Sequence, residues 1–200
     1  MRGYFGIGVE GINKPYNVGN VFRTAHAFGA SFVFTVAATY DRGEGARTDT
    51  SDSLGQLPFY DFPCARSLIL PKGCVLVGIE IDDKAVDLPS FRHPLQAAYV
   101  MGPERGSLSV AMTSRCDHLI RVPTRFSLNV GIAGVCVMYD RLVSRGRFAP
   151  RPVSTGGPTE MLAPHAYGDQ LLRQASMQAY RQSPPLAEVD TTEKDGLDEL

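Results

Sequence analysis

Three short blocks of this 200-residue chain carry side chains whose types and spacing could do chemistry. The first is Asn17-Val18-Gly19-Asn20-Val21-Phe22-Arg23, with helical spacing and Arg23 off the apolar positions. An arginine placed so, above the ends of strands, can bind a phosphate or stabilise a developing alkoxide. The second is Met101-Gly102-Pro103-Glu104-Arg105-Gly106-Ser107-Leu108-Ser109, directly after an apolar run. Glycines and a proline there form a loop at the edge where α/β folds bind ligands, and Glu104 and Arg105 put both charges in it. The third is Ile120-Arg121-Val122-Pro123-Thr124-Arg125-Phe126-Ser127-Leu128-Asn129-Val130, where Ser127 and Asn129 stand before a strongly apolar stretch. Singly, each block has a plainer explanation: a surface arginine with a capping Asn17, a turn with a surface ion pair, and Ser127 as a helix N-cap.

A fourth pattern, Gly6-Ile7-Gly8-Val9-Glu10-Gly11, matches the dinucleotide fingerprint in letters only. That fingerprint needs a helix opening within the glycine run, so that its N-terminus faces a pyrophosphate. Here Ile12-Asn13-Lys14-Pro15 intervene, the glycines lie inside an apparent strand, and the second strand ends in Ala37-Ala38-Thr39 without an acidic residue. A nucleotide-dependent oxidoreductase is therefore disfavoured.

The elements that must position these blocks are legible from periodicity. Tyr4–Val9 and Ser31–Ala37 read as strands flanking a helix over Asn17–Phe28, capped by Asn17 and stopped by Gly29, which makes a βαβ unit. Cys74–Ile81, Ala97–Met101 and His118–Val122 are continuous apolar runs, as expected of strands covered on both faces, and Phe59–Phe62 reads as a short edge strand. Leu128–Leu142 is a helix apolar around much of its circumference, which predicts burial on more than one side, either in the core or against a second subunit, with Val137 at an outward position. The class is α/β with a mainly parallel sheet flanked by helices. The folded domain is expected over 1–148. Residues 149–200 read as a linker, a helix over 169–182 and a mobile acidic tail.

Composition narrows the function. Hydrophobic residues make up 44% of the chain, and no apolar run approaches the roughly 18–20 residues of a membrane span. With no signal-peptide pattern at the N-terminus, a cytosolic location is expected. Four scattered cysteines read as buried free thiols, and neither they nor the four histidines show metal-ligand spacing, so no metal is expected. Net charge is −1, yet residues 1–150 carry 16 Lys and Arg against 13 Asp and Glu, whereas 151–200 carry 4 against 8. That asymmetry permits nucleic-acid binding by the first part without requiring it.

Taken in order, the three blocks resemble the SpoU/TrmH-like branch of the SPOUT RNA methyltransferases. That family shows N-x-G-x-x-x-R, then a strand ending in G-x-E-x-x-G, then a strand followed by S-(L/M)-N and a helix. The blocks stand here in that order and at fitting separations, over about residues 3–145. Gly131 departs from the pattern, where the family often has serine, and the separate N-terminal RNA-binding domain of some relatives is expected to be missing.

The resemblance implies a deep trefoil knot at the C-terminal end of the sheet, S-adenosylmethionine bound in it, and a homodimer packed through the first and last helices. The implied substrate is a tRNA or rRNA ribose 2′-hydroxyl. By position it implies Arg23 as the catalytic arginine, with Asn17, Glu104, Ser127 and Asn129 shaping the site. Cofactor contacts are implied at Ile79 or Glu80, Gly102, Ile120, Val122 and Leu128. A knotted RNA-binding protein without catalysis is the alternative, and the presence of Asn17, Arg23, Glu104 and Asn129 argues against it.

Overall fold

The computed structural model describes residues 3–39, 56–148 and the pair 155–156. Apart from that pair, the expected linker, the helix over 169–182 and the acidic tail lie outside the described residues. Among the described residues seven strands form: β1 (Tyr4–Glu10), β2 (Phe32–Val36), β3 (Phe59–Phe62), β4 (Val75–Ile79), β5 (Val86–Asp87), β6 (Gln96–Met101) and β7 (His118–Arg121). They pair in the order β3-β2-β1-β6-β4-β7-β5, every pair parallel, with β3 at an edge as its short alternating sequence predicts. The apolar runs are strands because both faces are covered. β7 ends one residue earlier than expected, at the residue two before Pro123, and β4 ends at Ile79, after which Ile81 is exposed.

On one face, α1 (Pro15–Ala27) and α3 (Val130–Arg145) pack beside each other over Ile7, Val9, Val77, Tyr99 and Ile120. On the other, Phe32, Phe34, Tyr60 and Phe62 form an aromatic cluster with Leu76, Val100 and Met112, the last from the one-turn helix α2 (Val110–Thr113). The result is three layers, helix on sheet on helix. Gly6 and Gly8 of β1 serve this second core. A Cβ at Gly6 would fall 2.2 Å from the Phe32 ring, and one at Gly8 2.5 Å from that of Phe34. The glycine pair that mimics a dinucleotide fingerprint is a seat for two phenyl rings.

Four expectations about the fold need correction. Asn17 is not the cap of α1: the helix starts at Pro15, whose missing N–H and fixed φ suit a first helical position, and Lys14 occupies the cap. Asn17 lies within the first turn, as the third helical residue, buried, with its side chain turned to another element. The last helix begins two residues later than expected, because Asn129 caps it by accepting the Gly131 N–H at 2.9 Å. Val137 points inward and is fully buried, and the outward apolar residues are Ile132, Tyr139, Leu142 and Val143. The cysteines are also less buried than expected. Cys64 is exposed and the other three are half-buried, although burial pushes the Cys74 and Cys116 thiols up to about 11.

At the amino end of the sheet the buried Arg141 of α3 ties three segments together. It donates to the carbonyls of Pro94 at 2.6 Å, Leu95 at 2.9 Å and Tyr4 at 3.1 Å, and to the Tyr99 hydroxyl at 3.2 Å. Its guanidinium also lies 5.3 Å from the Phe5 ring centroid. Beside it, buried His93 bridges Tyr99 at 2.5 Å and Asp140 at 3.0 Å.

Candidate active site at the carboxyl end of the sheet

Strands β4, β6 and β7 are neighbours, so their C-terminal ends deliver three loops to one place: 80–85, 102–109 and 122–129. Between the loops lies a cavity of about 300 Å³. Ile79, Met101, Leu128, Val130 and Ala133 give it apolar walls, while Glu104, Arg105, Arg121, Thr124 and Ser127 supply polar groups. This is the crevice outside the carboxyl ends of parallel strands where such sheets bind ligands.

Two buried or half-buried carboxylates fix the middle loop. Glu80 accepts the Leu108 N–H at 2.7 Å and its own neighbour Ile81 N–H at 3.0 Å. Glu10, at the end of β1, accepts both the N–H and the hydroxyl of Ser109, at 2.8 and 2.6 Å. The Ser109 hydroxyl in turn accepts from Met112 N and starts α2. The 102–109 loop is thereby folded so closely that a Cβ on Gly102 would stand 2.9 Å from Leu108 N. Only glycine fits there without displacing backbone.

Glu104 is the polar centre of the site. Its Oε1 accepts a short hydrogen bond from Asn17 Nδ2, and its Oε2 pairs closely with Lys14 Nζ. Asn129 Nδ2 donates to Asn17 Oδ1 at 3.5 Å, extending the chain from α3 through α1 to the loop. Residues from all three sequence blocks thus meet at one carboxylate. Opposite, Thr124 makes a tight turn: its N–H donates to Val122 O at 2.8 Å and its hydroxyl to Phe126 O at 2.8 Å. Arg121 is braced by Asp87 at 2.6 Å and the Asp82 carbonyl at 3.2 Å, and the hydrogen bond to Asp87 raises its pKa further.

Of the expected cofactor residues, Ile79, Glu80, Gly102, Val122 and Leu128 line the cavity. Ile120 does not; it is fully buried in the core beneath. Glu80 lines the wall, but its carboxylate oxygens already hold backbone amides. Glu104 and Ser127 line it too, and Asn17 and Asn129 reach it through Glu104. Arg23 is not in the wall: it is exposed on α1, off the buried stripe as expected. The second motif also needs a correction, since Gly106 stands one position before the last glycine of G-x-E-x-x-G and Ser107 takes that place.

Sequence reasoning gave no role to Glu10, Lys14, Arg121 and Thr124, and placed Arg105 in the loop without assigning it a task. The usable signal was a charge at the end of an apolar strand, as at Glu10 and Arg121. Among the described residues no group of His, Cys, Asp and Glu is placed to hold a metal, and no helix is long and apolar enough to cross a membrane.

Comparison with known proteins agrees with this geometry. The model of the SpoU rRNA Methylase family matches residues 5–139. The chain is 31% identical over 155 residues to the 23S rRNA (guanosine-2'-O-)-methyltransferase RlmB of Coxiella burnetii, covering 72% of this chain and 59% of the relative. Against the tRNA (guanosine(18)-2'-O)-methyltransferase of Escherichia coli K12 it is 25% identical over 141 residues, covering 66% and 60%. The SpoU methyltransferase AviRb from Streptomyces viridochromogenes, crystallised with the cofactor AdoMet, superposes with a TM-score of 0.60 at 26% identity, covering 71% of this chain and 60% of that one. The chain spans 59% and 60% of the length of these two curated relatives.

Proposed function

The chain belongs to the SpoU rRNA methylase family, and from that premise we propose that it methylates a ribose 2′-hydroxyl of tRNA or rRNA with S-adenosylmethionine, in the cytosol. The observation that carries this reading is the cavity itself, built by the loops of the second and third sequence blocks and tied to the first through Asn17 and Glu104. Its 300 Å³ lies at the lower end of the range for small-molecule sites, about 300–1,000 Å³. The residues fit the cofactor: Ile79, Met101 and Leu128 would offer apolar faces to an adenine, and the 102–109 loop, with no side chain at Gly102, would leave its backbone open to it.

When bound, S-adenosylmethionine supplies a sulfonium methyl for in-line transfer to the ribose oxygen. The protein must align the hydroxyl and manage its proton. Glu104, held by Asn17 and Lys14, presents a fixed carboxylate at the mouth, and Ser127 presents a hydroxyl on the opposite wall. Arg23 orients the nucleophile and stabilises the forming alkoxide; a guanidinium with a pKa above about 12 is a poor base. A phosphate of the RNA is then the acceptor of the hydroxyl proton.

Arg23 reaches the chemistry in a homodimer. It lies two helical turns beyond exposed Tyr16 and on the same side of α1. The neighbouring α3 exposes Ile132, Tyr139, Leu142 and Val143. A second copy covering these apolar residues brings Arg23 to the interface. A C-terminal trefoil knot completes the proposal. Its support is strand order: β7 is inserted between β4 and β5, which follow each other in the chain, so the chain leaving β7 starts beside the 80–85 connection.

The test is single-turnover transfer of labelled methyl to total tRNA and rRNA. Wild-type protein should label ribose 2′-oxygens, and Arg23→Ala should lower the rate at least 100-fold, about 3 kcal/mol of transition-state stabilisation. An Arg23→Ala protein that is folded and transfers at the wild-type rate would remove Arg23 from the chemistry. Absence of transfer by the wild type to either RNA class would overturn the proposed activity.

A further inference from the structure

Phe126 is 77% exposed, more than any other aromatic side chain among the described residues. A single exposed phenylalanine needs no explanation in itself. This one, however, is held out rather than left loose. Thr124 clamps the 122–126 turn through its N–H to Val122 O and its hydroxyl to Phe126 O. Thr124 and Ser127, on either side of the ring in sequence, both line the cavity. Phe126 therefore lies in the loop between two residues of the cavity wall, and its ring is no part of the core.

The charges nearest to it in sequence are basic, and the two carboxylates of the cavity wall are already engaged, Glu104 by Lys14 and Asn17 and Glu80 by backbone amides. Arg125 is adjacent and exposed, Arg105 lines the cavity from the facing loop, and no acidic residue occurs between Asp117 and Asp140. An exposed aromatic face beside arginines is how proteins hold unstacked nucleotides: every base has a π-face to stack, and the guanidinium takes the phosphate. A ribose whose 2′-oxygen must enter a cavity of this kind has to bring its base out of the helix stack, and that base needs a new surface.

We propose that Phe126 is the stacking platform for an unstacked base at or next to the methylated nucleotide, with Arg125 on the adjoining phosphate. The proposal rests on the methyltransferase reading of the cavity. Phe126 then acts on RNA binding and leaves the cofactor site untouched.

The test uses fluorescence anisotropy of a fluorescein-labelled mixed-sequence decaribonucleotide, and of the same strand with abasic riboses, on full-length protein saturated with S-adenosylhomocysteine. Phe126→Ala should weaken binding of the base-bearing strand about tenfold, within the range seen for one base–aromatic stack, and leave the abasic strand unchanged. Phe126→Trp should restore it. Arg125→Ala should weaken both strands alike and reduce the salt dependence by about one phosphate contact. Equal binding of the base-bearing strand by wild type and Phe126→Ala overturns the proposal, as does an equal loss on both strands or a shift of the variant to monomer in sedimentation. Failure of the wild type to bind S-adenosylhomocysteine in calorimetry is a separate result and strikes the methyltransferase reading instead.

Discussion

At the carboxyl end of the sheet, Glu104 gathers Asn17 and Lys14 beside an open cavity, and Ser127 and Thr124 line its far wall. At the amino end, Arg141 is buried with four hydrogen bonds, and His93 is closed in by Tyr99 and Asp140. One helix, α3, contributes to both ends: Asn129 caps its start near Asn17, and Arg141 anchors its last turns. The first set of polar groups lines the cavity between the three loops, whereas the second, although cavities of about 280 and 370 Å³ adjoin it, has its donors and acceptors taken by the protein itself. Polar residues in a parallel sheet protein thus divide by what remains for them to bind: the upper set is arranged for a ligand, and the lower set holds the strands' starts in register.

The sharpest way to break this division is at Arg141. Arg141→Ala removes the donor from three half-buried carbonyls and a buried hydroxyl, and should lower stability by about 3–5 kcal/mol. Urea unfolding measures it. A loss below about 1 kcal/mol would mean that water replaces the guanidinium and that the lower end is no clamp.

Next in size is Glu104→Gln. It keeps an acceptor for Asn17 and gives up the ion pair with exposed Lys14, a contact worth about 1 kcal/mol or less. Methyl transfer should nevertheless fall about 100-fold, because an oriented charge at the reacting centre is lost. Rate and melting temperature measured on one preparation decide it. If the variant melts far below wild type and its residual rate follows the folded fraction, Glu104 belongs with the structural set.

The smallest effect is pH-dependent. Desolvation lowers the His93 pKa in the fold, against about 6.5 in the unfolded chain. Between those two values the unfolded state binds more protons, so stability rises with pH across that window and is lost as pH falls through it. His93→Gln, which can still bridge Tyr99 and Asp140, should flatten this stretch of the unfolding profile. An unchanged profile would assign the acid sensitivity to other groups.

The sequence revealed the upper end far better than the lower. Gly102, Glu104, Ser127 and Asn129 stand in polar blocks that interrupt apolar runs, so their places at strand ends can be read from one stretch of chain. Arg141 and Asp140 look like ordinary charges on the solvent side of a helix, and His93 like a lone loop histidine. What makes them special is contact across the chain: Arg141 with Tyr99, Pro94 and Tyr4, 42 to 137 positions away, and Asp140 with His93, 47 positions away. The same limit explains Val137. A helix apolar around most of its girth does not say which face meets the sheet, and the neighbours Ile7 and Met101 that surround Gly134 decide it. Asn17 was placed at the right helix end with the wrong task, since Pro15 already starts the helix and frees the amide for Glu104. Strand β5 and helix α2, of two and four residues, are too short to show a period.

Calorimetric titration of the folded protein decides whether the cavity between the three upper loops takes S-adenosylmethionine. The expected result is saturable binding, competed by S-adenosylhomocysteine and absent with NAD. It should be abolished by Gly102→Val, whose side chain would press on Leu108 N, and kept by Arg141→Lys, which alters only the opposite end. Binding of NAD in place of S-adenosylmethionine, or undiminished binding by a folded Gly102→Val protein, would contradict the assignment of this cavity.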